Sequence, residues 1–347
     1  MGARFQAGPP GLSTLPGGVV PLAALAQPAR LKARLSEWKA CGASRTVLSK
    51  LAGGVKWRWA RRPPPVVCIP NRTFSPEEAL FVDTEIQRLL LLGAIREAEV
   101  MPHCVLPLSV VPKKGGKLRL VHDLRIVNGF LMVKRFRLEG LHEVHSVVQS
   151  GDVTCTVDLK DAYLHVPVNV AFQKYLGFQW AGRHYVWTAL PFGLSLSPRV
   201  FVKTLRPVLA ALRGMGLRVL LYMDDFLLAA RPEGAPHALA QLLGLLSRLG
   251  FIVNERKVSE WAHETPFLGV VLDSWRDVLF RPAAKTLDGV RRWLREARRG
   301  SAVTARRLAA FLGLVNFLPG RCRAWCCLRG DCSSCWRPAD RGAIGLC

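Results

Sequence analysis

A chain of 347 residues, half of them hydrophobic, can bury real cores, which excludes a disordered polymer and favours two or three packed subdomains. Its apolar runs are short and broken by charge, none near the roughly 20 residues of a membrane span, and residues 1–28 hold no compact apolar segment with a cleavage site, so neither a membrane anchor nor a secretory signal is expected. The 49 Lys and Arg against 25 Asp and Glu leave a net charge of +24, an excess that calls for a polyanionic partner, most commonly nucleic acid, with a merely solubilising surface as the alternative.

Residues 1–62 are basic and rich in Gly and Pro, and read as a partly disordered extension with a short helix around 31–51. Pro63-Pro64-Pro65 closes it as a stiff spacer. A marked helix follows, with Ser75 as N-cap, Pro76 at the first position, Glu78 completing a capping box and Gly93 just past the end. Leu80, Phe81, Ile86, Leu89 and Leu90 make its expected inner face. Over 110–128, apolar segments flank Lys113-Lys114-Gly115-Gly116-Lys117, which predicts a hairpin with a cationic tip. Residues 152–158 alternate, Val153, Cys155 and Val157 facing one way and Thr154, Thr156 and Asp158 the other, as in a half-buried strand ending in a carboxylate.

Segments 174–180 and 183–188, joined by Ala181-Gly182, predict another hairpin. Ser197-Pro198 opens a helix toward Leu212 with a kink at Pro207. Segments 217–223 and 226–230 read as strands with Asp224 and Asp225 at their turn, and 236–249 as a helix ended by Gly250. Further strands are expected at 251–254 and 266–273, and helices of a separate C-terminal unit at 291–297 and 304–317. Cys41, Cys68, Cys104 and Cys155 are scattered, as suits reduced, buried thiols in an intracellular protein; nucleus and cytoplasm are not distinguished. Cys322, Cys326, Cys327, Cys332, Cys335 and Cys347 crowd the tail. They include enough thiols for one zinc, but their spacings fit no defensible zinc pattern and no His follows, so a divergent, disordered terminus is expected.

A lone Asp-Asp at a turn is more often a solvated turn than a metal site, and a lone strand-end Asp is equally unspecific. Together, Asp158, Asp224 and Asp225 offer the hard oxygens that Mg²⁺ prefers. Such a set suits attack of a 3′-hydroxyl on a nucleotide α-phosphorus, where two metal ions activate the hydroxyl and neutralise the leaving phosphates.

From Val110 to about Phe317 the sequence resembles the reverse transcriptases. Tyr222-Met223-Asp224-Asp225 resembles their catalytic hairpin, and Asp158-Leu159-Lys160-Asp161-Ala162-Tyr163 their first catalytic motif. Leu190-Pro191-Phe192-Gly193 resembles the segment beside the templating pair. Gly250-Phe251-Ile252-Val253-Asn254 through Lys257, and Phe267-Leu268-Gly269, resemble two later palm motifs, the last a primer grip. Lys113 through Arg119, with Asp123-Leu124-Arg125 and Asn128, resembles the fingers hairpin. The wording of 158–168 and 190–201 is most similar to retrotransposons of the DIRS and Ngaro kind.

The resemblance implies an α+β right-hand polymerase, with an antiparallel palm sheet backed by helices, fingers, and a partial thumb or connection. Fingers would span 63–150 and palm 151–273, with a fingers contribution around 165–195. The partial thumb would span 274–320, leaving the Cys-rich tail at 321–347. It implies catalysis and metal binding by Asp158, Asp224 and Asp225, with the Leu159 carbonyl as a further ligand to two Mg²⁺ ions, which Mn²⁺ can replace. The Asp161 and Ala162 amides would meet the triphosphate, Tyr163 would exclude a 2′-hydroxyl, and Phe192 would pack on the nucleotide. Lys113, Lys114 and Arg119 would grip phosphates, which lysine does so being open, and Lys257 is a candidate proton donor to pyrophosphate, or a plain surface lysine. Implied partners are an RNA template, a DNA primer and deoxynucleoside triphosphates, with no membrane and an open oligomeric state. No RNase H module is expected after Phe317. A non-catalytic nucleic-acid-binding relic of a retroelement is the alternative function.

Overall fold

The computed structural model describes residues 25–112, 116, 118–282 and scattered positions between 288 and 308. Lys113 and Lys114, most of the helices expected at 291–297 and 304–317, and the Cys-rich tail lie outside the described residues.

The chain is α+β, as the sequence predicts. Instead of one helix in a loose extension, the described residues begin with three short ones, α1 (Gln27–Lys32), α2 (Leu35–Ala40) and α3 (Arg45–Gly53). Leu31, Trp38 and Leu51 are fully buried in the main core, so apolar packing makes 25–53 an integral part of the body. After β1 (Val67–Cys68) comes α4 (Pro76–Leu91), with the expected Ser75–Glu78 capping box. Its buried stripe is Val82, Ile86 and Leu89, spaced i, i+4, i+7. Leu80 is 69% exposed; it lies off that stripe, a phase that a helix with apolar residues on several faces leaves ambiguous.

Strands β2 (Ile95–Glu97) and β3 (Cys104–Val105) precede the β4 (Leu108–Pro112) and β5 (Leu118–His122) hairpin. This hairpin ends at His122, because the Asp123 carboxylate accepts the Arg125 N–H and starts α5 (Arg125–Phe130). Then follow α6 (Leu141–Val147), β6 (Val153–Asp158), a 3₁₀ turn (Ala162–His165), α7 (Val170–Gln173), and the β7 (Gly177–Trp180) and β8 (Arg183–Trp187) hairpin. The hairpin turns through Ala181 and Gly182, both at positive φ. Helix α8 (Ser197–Gly214) runs through Pro207. Strands β9 (Arg218–Tyr222) and β10 (Asp225–Ala230) are followed by α9 (Ala235–Leu249), which Gly250 stops at φ +95.

Of the thiols expected to be buried, Cys104 and Cys155 are, but Cys41 is half-buried and Cys68 is exposed, since it lies on the edge strand β1. Two further expectations differ. Residues 251–254 are not a strand but an irregular segment with one bridge, Leu159 to Val253. Residues 266–273 are not one strand but the core of a hairpin, β11 (Glu264–Phe267) and β12 (Val270–Asp273), because Leu268 and Gly269 both take positive φ. Strand β13 (Leu279–Pro282) extends that sheet.

Among the described residues the sheets run β1-β3-β7-β8-β2, β6-β10-β9, β11-β12-β13 and β4-β5. The β6-β10-β9 sheet is buried on both faces. Cys155, Val157, Val219, Leu221, Phe226 and Leu228 join the main core, while Leu220, Leu227 and Ala229 join a second core with α6 and β11–β13. Even Thr154, expected on a wet face, is buried, its hydroxyl donating to the Thr265 hydroxyl at 2.7 Å. A sheet covered on both sides reaches water only at its strand ends. Asp158, Asp224 and Asp225 stand at one such end.

Candidate active site

Strand β10 places Asp225 opposite both Asp158 on β6 and Tyr222 on β9. Two carboxylates distant in sequence are therefore set side by side by backbone register. Met223 and Asp224 form the two-residue turn, with Met223 at φ +58, a conformation that costs a residue bearing a Cβ about 1 kcal/mol. The Leu159 N–H reaches the Asp224 carbonyl at 3.4 Å, tying the turn to the end of β6.

Electrostatics mark the cluster. Burial, then the charges of Asp224 and Asp158, push Asp225 up to about 6; burial, with Asp158, also raises Asp224. Asp158 presents Oδ2 to Asn254 Nδ2 at 3.0 Å and to Lys257 Nζ at 2.9 Å, and this bond holds the Lys257 ammonium above its ordinary value. Among the described residues no three acidic, His or Cys side chains converge closely enough to hold a metal as they stand. The donor set nonetheless fits a hard divalent cation: three partly desolvated carboxyls repel one another and share Lys257 as their nearby cation. A metal would draw Asp158 away from Lys257.

The loop after Asp158 carries a second feature. Asp161 sits at φ +48 and opens the 3₁₀ turn. Among the described residues, no acceptor takes the N–H groups of Asp161 and Ala162. Free N–H groups following a left-handed residue form an anion-binding concavity. Three side chains fix it. Arg88 of α4 bridges to Asp161 at 2.8 Å. Gln27 of α1, 2% exposed, donates from Nε2 to the Lys160 and Asp161 carbonyls at 3.3 and 3.1 Å. His165 accepts the Ile252 N–H at Nε2 (3.0 Å), which leaves its proton on Nδ1, 3.2 Å from the Ala162 carbonyl.

Tyr163 is buried against Phe201 and Phe192, ring centroids 5.3 and 4.9 Å away, with its hydroxyl 3.9 Å from Met223 Sδ. Burial, with Asp224 nearby, pushes its phenol up to about 12, so it stays neutral. Phe192 lies above it, 53% exposed. Arg119 stands on β5, exposed, at the rim of a cleft of about 510 Å³ that also holds Asp158, Leu159, Asp161, Ala162, Phe192, Asp224 and Lys257. Phe267 is buried, and Leu268 and Gly269 form the β11–β12 turn; Leu268 and Tyr222 both pack on the second core.

Sequence reasoning gave no role to Gln27, Arg88, Asn254 or His165. Asn254 and Arg88 left faint signals, a polar residue in a recognised motif and a basic residue in a helix's last turn. Gln27 left none, since its partners lie more than a hundred residues away.

Residues 111–272 match the family described as reverse transcriptase (RNA-dependent DNA polymerase). The Tf2-3 and Tf2-4 transposon polyproteins of Schizosaccharomyces pombe are each 26% identical over 252 residues, covering 72% of this chain. The chain spans only 18% of those polyproteins. A foamy viral protease–reverse transcriptase in complex with double-stranded DNA superposes with a TM-score of 0.62 at 20% identity, covering 88% of this chain and 54% of that one. Another, in complex with an RNA/DNA hybrid, gives 0.57 at 20% identity, covering 88% and 41%. These likenesses show the right-hand polymerase fold. Over residues 111–272 this chain is thus similar to the reverse transcriptases in sequence, and over most of its length in fold.

Proposed function

We propose that the chain is the polymerase part of a retrotransposon reverse transcriptase, adding deoxynucleotides to a DNA primer on an RNA template. One observation carries this reading: the β6–β10 register sets Asp158 against Asp225, and Asp158 and Asp224 line the same cleft as Asp161 and Ala162, whose amides have no acceptor among the described residues. Asp158, Asp224 and Asp225, with the Leu159 carbonyl, would hold two Mg²⁺ ions, for which Mn²⁺ can stand in. Such ions lower the pKa of an attacking hydroxyl and neutralise leaving phosphates. The Asp161 and Ala162 amides and Arg119 bind the triphosphate, Phe192 packs on the nucleotide, and Tyr163 closes the space below the sugar. Lys257, which lines the same cleft and is bonded to Asp158 in the chain as it stands, would be the proton donor to the departing pyrophosphate. Phe267, Leu268 and Gly269 hold the primer end.

The fingers at 63–150, with a contribution around 165–195, and the palm at 151–273 fit this reading, as does the start of a thumb at 274–320. The wording of 158–168 and 190–201 favours an element of the DIRS or Ngaro kind.

The test is extension of a DNA primer on an RNA template with Mg²⁺ or Mn²⁺. Asp225→Asn should lower the rate about a thousandfold, some 4 kcal/mol of barrier. Template-dependent extension unchanged in Asp225→Asn would overturn the assignment. Binding without extension by the wild-type chain would favour the non-catalytic relic.

A further inference from the structure

We propose that Glu139, outside the catalytic cleft, is a positioning residue for the carboxylate hairpin: paired with Arg213, it takes the place of a neighbouring strand on the open edge of the β6-β10-β9 sheet and sets where Asp224 stands. Its hold on the hairpin is a matter of geometry; its effect on a metal rests on the polymerase reading.

The two edges of that sheet are closed differently. Along β6 the neighbour is main chain: the Asp158 and Thr156 carbonyls accept the N–H groups of Asn254 and Ser259 at 2.9 and 3.0 Å, and the Thr154 N–H donates to the Ala262 carbonyl at 2.8 Å. Strand β9 ends the sheet on the other side, and among the described residues no main-chain group bonds to its outer edge. Val219 and Leu221 are buried there, and a buried backbone group without a partner costs about as much as a lost hydrogen bond. Two side chains supply the bonds. Arg213, in the last turn of α8, donates from Nε and Nη2 to the Val219 carbonyl at 3.2 and 2.9 Å. Glu139, just before α6, accepts the Leu221 N–H at Oε2, 3.1 Å away, and the same oxygen accepts Arg213 Nη2 at 2.9 Å. The pair thus offers β9 a donor and an acceptor two residues apart, as an added strand would.

Two observations carry the effect from this edge to the carboxylates. Leu221 stands one residue before Tyr222-Met223-Asp224-Asp225, so Glu139 makes the last bond on that edge before the turn. Beyond it the chain turns through Met223 at φ +58, and the Asp224 carbonyl meets the Leu159 N–H at a long 3.4 Å, whereas Asp225 is paired on both sides, with Asp158 and with Tyr222. Slack at Leu221 therefore reaches Asp224 before it reaches Asp225 or Asp158. The edge is also not sealed by apolar packing. A recess of about 320 Å³ lies against the pair, lined by Glu139, Arg213, Val219, Ser146 and Leu217, so that a shortened Glu139 leaves room for water beside the strand rather than a dry cavity in the core. Reach and charge make opposite predictions here. Gln keeps an oxygen at the reach of Glu139 for both Leu221 and Arg213, without the charge; Asp keeps the charge but is one methylene short.

The experiment compares Glu139→Ala, Glu139→Asp and Glu139→Gln in the full chain by two readouts that need no activity. Hydrogen exchange over 218–225, read against 153–158 and 177–187 of the same molecule, should be about tenfold faster in the Ala and Asp variants and near wild type in Gln, with the reference segments unchanged. Mn²⁺ titrated into the chain and followed by electron paramagnetic resonance should bind about fivefold more weakly to the Ala and Asp variants and within about twofold of wild type to Gln. In primer extension the half-saturating Mg²⁺ should rise in step, while KM for the nucleotide at saturating metal stays within about twofold. Should Glu139→Ala fail to fold, the Asp and Gln variants decide the matter between them. Wild-type exchange in Asp, or loss in Gln with Asp intact, would overturn the positioning role. So would faster exchange with equal Mn²⁺ affinity in all four proteins, which would make the pair a structural edge alone. A wild type that protects 218–225 but binds no Mn²⁺ overturns the metal reading, and the exchange order of Asp and Gln still decides whether Glu139 holds the hairpin.

Discussion

Tyr163 shows how a single side chain can be tested on two axes. Its ring fills the space between Phe192 and Phe201 beneath the cleft, and its hydroxyl meets Met223 of the carboxylate turn. Tyr163→Val opens that space on the side where a sugar would sit. Discrimination against ribonucleotides should fall at least tenfold, with stability falling on the order of 2–3 kcal/mol for the emptied volume. Competition between ribo- and deoxynucleotides in primer extension reads the first, and urea unfolding the second. Unchanged discrimination would remove Tyr163 as the sugar gate. Gln27 is different, because it touches the proposed phosphate amides only through the carbonyls behind them. Gln27→Ala should raise KM for the nucleotide severalfold and leave kcat within about twofold, a split that general unfolding would not produce.

Among the elements, hairpin turns are where sequence and backbone conflict most plainly. Ala181 is an exposed non-glycine residue at φ +46, followed by Gly182 at φ +76. Asn-Gly is the preferred pair for two consecutive positive φ values. Ala181→Asn should stabilise the chain by about 1 kcal/mol and raise Tm by about 1–2 °C in a thermal melt, with no change in extension. The same elements show what was legible. The Ser75 capping box, the Gly250 stop, the Ala181-Gly182 turn and the strands around Asp224 follow from local rules, and all are present. The displacement of Leu80 from the helix core came from choosing one face of a helix that is apolar on several. Residues 251–254 failed for another reason: three apolar residues before Asn254 pack equally well as a strand or as an irregular segment, and the partner strand decides. The Asp158–Asp225 register was only half visible. The sequence puts each carboxylate at a strand end, but which strands pair is a long-range matter. Gln27 and His165 belong wholly to that long-range class.

At the scale of the whole molecule, two buried histidines join its parts. His122 at the end of the β4–β5 hairpin lies 3.1 Å from the Gly177 carbonyl through Nε2 and accepts the Trp187 indole N–H at Nδ1, 3.2 Å away, fastening the hairpin to the five-stranded sheet. His165 fastens the loop after Asp158 to Ile252. Each uses one ring nitrogen as an acceptor, so a second proton would break a bond and place a charge in the core. Burial is the main cause that lowers both to about 4. The unfolded chain takes up these protons near 6.5 and the folded chain only near 4. Stability is therefore full above 6.5 and falls as pH drops from 6.5 to 4, by at most roughly 3 kcal/mol for each histidine. Asp225 opposes this: its folded value near 6 lies above its unfolded one, so in the fold it gains a proton over much of the same window and offsets part of the loss. Urea midpoints measured between pH 7.5 and 4.5 should decline, and decline more steeply in Asp225→Asn, where the opposing proton uptake is gone. A flat profile in both proteins would mean that the histidines titrate normally and that the two joints open without them.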